Sequence, residues 1–221
     1  MQPQISMLTP RKAINKAFLK VKPNRSDIEH FKTNLSQLID RINDQESEEF
    51  HKNLVIDFLK KSYYDPRHFI NTKCKNDLVI HNGDKASSSV GVIVEAKKPT
   101  NNSEMLSRNN INVKAFQELV LYYLRERITH KNIEIKYLVA TNIYEWFIFD
   151  ATLFDRQFAQ NKNLVSQFND FEDGRLADIK TDFFYKQVAE PFITAVNHPM
   201  EFTWFDIRDY EKPLRNSDPK D

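Results

Sequence analysis

The stretch from residue 77 to residue 97 constrains the fold more than any other part of the chain. It consists of two apolar runs rich in β-branched residues, DLVIH and VGVIVEAK, on either side of a loop of Asn, Gly, Asp and Ser residues. This pattern predicts a β-hairpin. Asp77 and Glu95 are equidistant from Ala86 at the middle of the loop, so a symmetric hairpin places them directly across from each other.

The same register predicts which side chains share a face of the hairpin. Because side chains alternate along a strand, Glu95 and Lys97 lie on the face of Asp77. Carboxylates that face each other across a strand pair, about 5 Å apart, are destabilising unless a cation lies between them. The pattern therefore predicts a metal site of two carboxylates with a lysine at its rim. The other face, which we expect to be the buried one, carries the pairs Leu78–Val94 and Ile80–Val92.

This Asp…Glu-x-Lys arrangement resembles the motif of the PD-(D/E)xK nuclease superfamily, to which many restriction endonucleases belong. The resemblance implies that Asp77, Glu95 and the main-chain carbonyl of Ala96 hold Mg²⁺, for which Mn²⁺ can substitute. Lys97 would help to position and activate the attacking water. Mg²⁺ prefers oxygen ligands and lowers the pKa of bound water, and a nearby lysine stabilises developing negative charge. The chain departs from the motif at Asn76, which stands in place of Pro.

The alternative interpretation is a solvated ion pair, because Glu-x-Lys is common at strand ends and short motifs give false positives. The preceding segment, residues 46–61, has the apolar spacing of a helix with an acidic first turn. Many members of the superfamily place a further glutamate on this helix. A helical wheel favours Glu48, at the edge of the apolar face, over Glu49. Because the helix start is uncertain by one residue, both glutamates remain candidates. The alternative for either glutamate is a solvated acid cluster with no role in the site.

Residues 113–128 predict a second amphipathic helix after the Glu-x-Lys strand. Superfamily members often carry a Gln or Lys on this helix that points at the site, which makes Gln117 a candidate catalytic residue. The Gln-x-x-x-Tyr form of that motif is not met, because Leu121 holds the Tyr position. A structural role for Gln117 therefore remains an alternative.

Two further strands are predicted, at residues 135–142 and 145–150. The segment TNIYEWFIFD resembles a hairpin found in the nuclease domains of type I and type IIG restriction enzymes. The ordered set of similar stretches covers residues 46–193, about two-thirds of the chain. The resemblance to the N-terminal region of type IIG enzymes implies double-stranded DNA as substrate. It also implies methyltransferase and target-recognition domains on the same longer polypeptide, in the cytoplasm of a bacterial-type cell. The alternative is a stand-alone nuclease that works with separate partners.

Composition narrows the possible functions. The 32 basic and 31 acidic residues nearly cancel, so nucleic-acid binding needs a local basic patch. The single cysteine, Cys74, excludes an internal disulfide and a cysteine zinc cluster, as suits a reducing compartment. No apolar run is long enough for a membrane span. The sequence also lacks the glycine-rich motifs that bind nucleotides, so we do not expect this chain alone to bind ATP or S-adenosylmethionine.

The segment from Arg11 to Arg25 contains six basic residues and no acid. Thr9 followed by Pro10 predicts a helix start, and Lys12, Lys16 and Lys20 then line up at four-residue spacing. Such a helix is typical of a phosphate-contacting surface, and Lys98 is a second candidate for DNA contact. The alternatives are the solvated face of an ordinary packing helix or an organellar transit peptide.

These observations predict an α/β fold with a restriction-endonuclease-like core, a mixed β-sheet flanked by helices, and additional C-terminal helices. We expect a basic N-terminal arm at 1–25, a nuclease domain at 26–200 and a C-terminal extension or linker at 201–221. The expected function is Mg²⁺-dependent hydrolysis of DNA. The alternatives are a non-cleaving nucleic-acid-binding or assembly module on the same fold, and a repair-type or RNA-directed nuclease of the superfamily.

Overall fold

A computed structural model of the chain describes residues 3–73 and 76–210, without the side chains of Asn76 and Asp77. Its centre is one seven-stranded sheet with the strand order β1-β7-β6-β5-β4-β3-β2. The strands are β1 (Ile5–Leu8), β2 (Ile70–Lys73), β3 (Asn76–His81), β4 (Val90–Ala96), β5 (Tyr137–Thr141), β6 (Glu145–Asp150) and β7 (Met200–Asp206). The β1–β7 and β4–β5 pairs are parallel and the others antiparallel.

Helices flank this sheet, which confirms the predicted α/β class with a mixed sheet. They are α1 (Pro10–Ala13), α2 (Arg25–Asp40), α3 (Glu48–Leu59), α4 (Lys114–Leu124), α5 (Ala151–Phe154), α6 (Lys162–Glu172), α7 (Thr181–Phe183) and α8 (Glu190–Thr194). Four π-helical segments extend them, at Lys60–Tyr64, Arg125–Thr129, Asp155–Ala159 and Phe184–Ala189. In the described ranges, no helix is both long and apolar enough to cross a membrane.

The β3–β4 hairpin has the register that the sequence predicts. Leu78 pairs with Val94 and Ile80 with Val92, and the register shifts only at the loop end of β3. Continued by one residue, the same register brings the backbone of Asp77 opposite Glu95. The alternation of apolar residues was therefore sufficient to align the two strands.

Both faces of the hairpin are buried, whereas the sequence led us to expect only one. Leu78, Ile80 and Val94 are buried, as predicted, and the structure shows that they pack against α2 and α3. On the opposite face Val79 and Ile93 are fully buried in a second core, to which α4 and the C-terminal helices contribute. The face that carries Glu95 and Lys97 is therefore covered by helix α4 rather than open to solvent.

Helix α3 begins two residues later than predicted, because Ser47 is its N-cap. The Ser47 hydroxyl accepts a hydrogen bond of 3.1 Å from the backbone amide of Phe50, which satisfies one of the unpaired amides of the first turn. Glu48 is consequently the first residue of the helix and lies at the end that approaches the sheet.

The predicted basic helix at the N-terminus is wrong. Helix α1 ends at Ala13, and residues Phe18–Lys20 form only a short 3₁₀ turn. The reason is that the apolar side chains of this segment are not packed: Ile14, Phe18 and Val21 are all exposed, Phe18 by 70%. A short isolated helix without tertiary packing is marginal in water.

The domain boundaries drawn at residues 25 and 200 do not separate independent parts. Strand β1 pairs with β7, from Ile5 opposite Met200 to Leu8 opposite Thr203. Strand β7 in turn pairs with β6. Both flanking segments thus contribute strands to the central sheet. Residues 211–221, which belong to the predicted linker, lie outside the described part of the chain.

Candidate active site

The candidate site lies at the carboxyl end of β4, beside the parallel strand β5. The backbone amide of Lys97 donates a hydrogen bond of 2.8 Å to the carbonyl of Thr141, the last residue of β5. Thr141 is completely buried. This bond continues the β-ladder past Ala96 and fixes the direction in which Lys97 leaves the strand.

Lys97 is held between two carboxylates. Its Nζ lies 2.8 Å from Glu95 Oε1 and 2.7 Å from Glu118 Oε2. The side chains of Lys97 and Glu95 are only 3% and 2% exposed. Burial of the Lys97 ammonium opposes its charge, but the two carboxylates outweigh burial and raise the pKa of Lys97 above its ordinary value. Lys97 is therefore a fixed, buried cation.

A second ion pair closes the solvent side of this cluster. Glu104, in the loop between β4 and α4, accepts hydrogen bonds of 2.9 Å from Lys114 Nζ and from the Asn101 amide. The same carboxylate also lies near Lys97, at 3.8 Å between Nζ and Oε2. Burial works against its ionisation, yet the hydrogen bonds from Lys114 and Asn101 hold the pKa of Glu104 below its ordinary value. Glu104 is thus a carboxylate at the mouth of the site.

The structure distinguishes between the two glutamates at the start of α3. Glu48 Oε2 accepts a hydrogen bond of 3.3 Å from the backbone amide of Lys98, directly after the Glu-x-Lys tripeptide. Glu49 is 62% exposed in its side chain and pairs with Lys52 at 2.9 Å. Glu48 therefore adjoins the candidate site, whereas Glu49 points toward solvent.

Asp77 reaches the site through its backbone register, while its side chain lies outside the described part of the structure. Among the side chains that are described, no three His, Cys, Asp or Glu residues form a group that could hold a metal ion. The described oxygen donors at this strand end include the Glu95 carboxylate and the Ala96 carbonyl. The register that pairs Leu78 with Val94, continued by one residue, brings the backbone of Asp77 opposite Glu95. Carboxylate and carbonyl oxygens are the ligands that Mg²⁺ takes, so the donor set fits that ion.

Gln117 lies outside the candidate site. Its side-chain amide donates a hydrogen bond of 3.1 Å to Asn112 Oδ1, and Asn112 in turn donates to Thr194 Oγ1 at the C-terminal helices. Gln117 therefore links α4 to α8 through Asn112, which supports a structural role for Gln117 rather than a catalytic one. The next residue, Glu118, faces Lys97 instead.

The predicted nucleic-acid contacts lie in different places. Lys98 is half-buried and adjoins the site. Lys12, Lys16 and Lys20 are exposed, but they belong to separate short turns rather than to one helix face. The three lysines therefore do not form the straight basic row that the sequence predicted.

Sequence reasoning missed Glu104, Glu118 and Tyr185. Tyr185, on the π-helical segment after α7, is 5% exposed, and burial together with the charge of Glu118 raises its pKa to about 12. The sequence carried no signal for Glu118, because an amphipathic helix is expected to solvate its polar face. Only the structure shows that every residue of α4 after Lys114 is buried, so that a glutamate there needs a cationic partner. No sequence signal singled out Glu104 or Tyr185.

A family model described as "Domain of unknown function (DUF7149)" matches residues 8–221. The match includes the hairpin, both helices that converge on the site and the last strand of the sheet. No curated protein and no solved structure matches the chain.

Proposed function

We propose that this chain, which belongs to the DUF7149 family, is a metal-dependent endonuclease that hydrolyses DNA phosphodiester bonds. One observation carries the proposal: Glu95 and Lys97 are held together at the end of β4. The hairpin register, which pairs Leu78 with Val94, supports it, because one more residue in the same register would bring Asp77 opposite Glu95. A coupled acid and lysine on a strand end, with a second acid across from them, is the arrangement that the PD-(D/E)xK resemblance implies. The convergence of Glu48 on Lys98 supports it further.

The proposed chemistry assigns a role to each of the chain's own groups. Bound Mg²⁺ or Mn²⁺ would supply a polarised phosphoryl oxygen and a water of lowered pKa. Asp77, Glu95 and the Ala96 carbonyl would hold the ion. Lys97, which is fixed and charged, would stabilise negative charge that develops on the phosphoryl group. Glu48 would orient the chain after Lys97 through the Lys98 amide.

Double-stranded DNA is the proposed substrate, with Lys98 beside the site and the exposed N-terminal lysines as contacts to phosphates. Because the whole chain is nearly neutral, affinity would depend on these local charges and fall with added salt. We further propose that the chain acts in the cytoplasm as the cleavage part of a type IIG-like restriction enzyme. Methyltransferase and target-recognition domains would then be its partners on a longer polypeptide.

A specific observation favours a second candidate, a non-cleaving nucleic-acid-binding or assembly module. Lys97 is almost fully buried between Glu95 and Glu118, and a buried ion network of this kind can also serve only to specify the fold. Metal binding separates the two candidates. An endonuclease binds Mg²⁺ or Mn²⁺ at Glu95, whereas a purely structural network leaves the Glu95 and Lys97 environments unchanged when either ion is added.

Nicking of supercoiled plasmid with Mg²⁺ or Mn²⁺ tests the proposal. We expect the wild-type protein to nick DNA and the Asp77→Asn and Lys97→Ala variants to lose this activity. Glu49→Gln is the control. Glu49 is next to Glu48 in the first turn of α3, but its side chain is exposed and points away from the site. Circular dichroism of each variant separates loss of chemistry from loss of folding.

Nicking that survives in folded Asp77→Asn and Lys97→Ala proteins would disprove this site. A wild-type protein that binds duplex DNA without metal-dependent nicking, on plasmids of varied sequence, would favour the non-cleaving module. Cleavage restricted to RNA or to flap structures would instead favour a repair-type or RNA-directed nuclease.

A further inference from the structure

The side chain of Glu95 has two tasks in the proposed site. Its Oε1 lies 2.8 Å from Lys97 Nζ, and the same carboxylate is the proposed metal ligand on β4. A carboxylate that turns toward a divalent cation binds a neighbouring ammonium less tightly, because metal and ammonium compete for its negative charge. Lys97 therefore needs a second partner if it is to stay in place when metal binds.

Glu118 is positioned to be that partner. It lies in the middle of α4, and its carboxylate approaches Lys97 from the helix layer rather than from the sheet. Helix α4 is packed into the main core along its whole length, with Phe116, Leu119 and Val120 fully buried. A carboxylate on such a rigid, buried element holds its position better than one on a loop.

The other nearby carboxylate is less suited to this task. Glu104 Oε2 is 3.8 Å from Lys97 Nζ, and Glu104 Oε1 already accepts a hydrogen bond from Lys114. Its side chain is 33% exposed, compared with 10% for Glu118. Water and Lys114 therefore satisfy much of the charge of Glu104, whereas the less exposed carboxylate of Glu118 lies 2.7 Å from Lys97 Nζ.

We infer that Glu118 is a positioning residue that anchors the Lys97 ammonium independently of Glu95, so that Lys97 stays in the site while Glu95 serves a metal ion. The role of Lys97 in cleavage rests on the proposed function, but the anchor itself does not. Removing the charge of Glu95 should leave Lys97 bound to Glu118. Removing both carboxylates should release it.

Nuclear magnetic resonance of lysine ammonium groups in metal-free protein tests the anchor directly. A buried, paired ammonium exchanges its protons with water slowly and gives a resonance that solvated lysines lack, and loss of this signal in Lys97→Arg assigns it. We expect the resonance to persist in Glu95→Gln and to disappear in Glu118→Gln combined with Glu95→Gln. Disappearance in Glu95→Gln alone would overturn the inference, and so would persistence in the double variant.

The matched control for folding is Glu126→Gln. Glu126 is also a buried glutamate, 2% exposed, that pairs with a lysine, Lys73, at 2.8 Å. It lies in the π-helical extension of α4, and its described hydrogen-bond partners are Lys73 and Asn132 rather than Lys97. If Glu118→Gln fails to fold while Glu126→Gln folds, Glu118→Asp replaces it in the test. This variant keeps the negative charge on a shorter side chain, and we expect it to retain a weakened Lys97 resonance.

Kinetics then connect the anchor to the proposed function. We expect Glu118→Gln to lower kcat for plasmid cleavage by about 10- to 100-fold, as is typical when a group that orients a catalytic residue is removed, with KM for DNA unchanged. Glu118→Asp should restore part of kcat. Wild-type kcat in folded Glu118→Gln would overturn the anchor's role in cleavage. If the Lys97 resonance behaves as expected in the variants but the wild-type protein never cleaves DNA, the proposed function is wrong and the anchoring role of Glu118 still holds.

Discussion

Glu48 Oε2 accepts a hydrogen bond of 3.3 Å from the backbone amide of Lys98, which ties the first turn of α3 to the residue after Lys97. Helix α3 packs on one side of this part of the sheet, whereas Glu95 and Lys97 face α4 on the other side. The bond therefore fixes the exit of β4 from the side opposite to Glu118. The first residue of α3 must therefore carry a hydrogen-bond acceptor if this bond is to form.

Glu48→Gln and Glu49→Gln should differ in activity although the two residues are adjacent. In Glu48→Gln the charge-assisted bond to the Lys98 amide becomes a neutral one, and we expect cleavage to fall by about tenfold, as for the loss of an orienting hydrogen bond. In Glu49→Gln only an exposed pair with Lys52 changes. Plasmid nicking rates of the two folded proteins check this. Equal rates would remove Glu48 from the site.

Lys97→Ala should destabilise the fold itself. It leaves the buried carboxylates of Glu95 and Glu118 without the cation between them, and breaking a buried ion pair in this way costs about 3–5 kcal/mol. Chemical denaturation measures the change in the free energy of unfolding. Lys186→Ala, at an exposed position, is the control and should lie within about 0.5 kcal/mol of wild type. If Lys97→Ala lowered the free energy of unfolding as little as the control does, the cluster around Lys97 would be solvated rather than buried.

Acid should remove a stabilising contribution of Asp155. Burial opposes its ionisation, but hydrogen bonds from Gln160 and Arg127 outweigh burial and hold the pKa of Asp155 below its usual 3.8. A carboxyl with a lowered pKa in the folded state stabilises the protein above its unfolded-state pKa, and this stabilisation is lost as the pH falls toward the folded-state pKa. The free energy of unfolding, measured from pH 6 down to pH 2, should therefore fall less steeply below pH 4 in Asp155→Asn. An unchanged slope would contradict the assignment.

The N-terminal lysines should contribute to DNA affinity through charge alone. Lys12, Lys16 and Lys20 are exposed and lie in separate turns, so they can bind phosphates but cannot read bases as a helix in a groove would. Replacing all three by alanine should weaken binding to any duplex sequence. The slope of log affinity against log salt should become shallower by about 0.9 for each phosphate that the variant no longer neutralises, measured by fluorescence anisotropy. An unchanged slope would exclude this segment from the DNA interface.

Local patterns were sufficient for the hairpin and for four further elements, but they indicated neither β2 nor α2, which also adjoin it. The period-two alternation of apolar residues aligned Leu78 with Val94 and Ile80 with Val92, because slipping the register by one residue would turn every apolar side chain to the wrong face. The same reasoning found α3, α4, β5 and β6, which have strong periodicity. The start of α3 was misplaced because the N-cap role of Ser47 was overlooked.

Contacts between distant parts of the chain decided the rest. The sequence by itself brought Asp77, Glu95 and Lys97 into one register, since they belong to one hairpin whose geometry is local. Only the tertiary structure brought Glu118 to Lys97, chose Glu48 over Glu49 and directed Gln117 away from the site. It also ended the N-terminal helix at Ala13. Each of these outcomes depends on how helices pack on the sheet, and a periodic pattern states which face of a helix is buried without stating what lies against it.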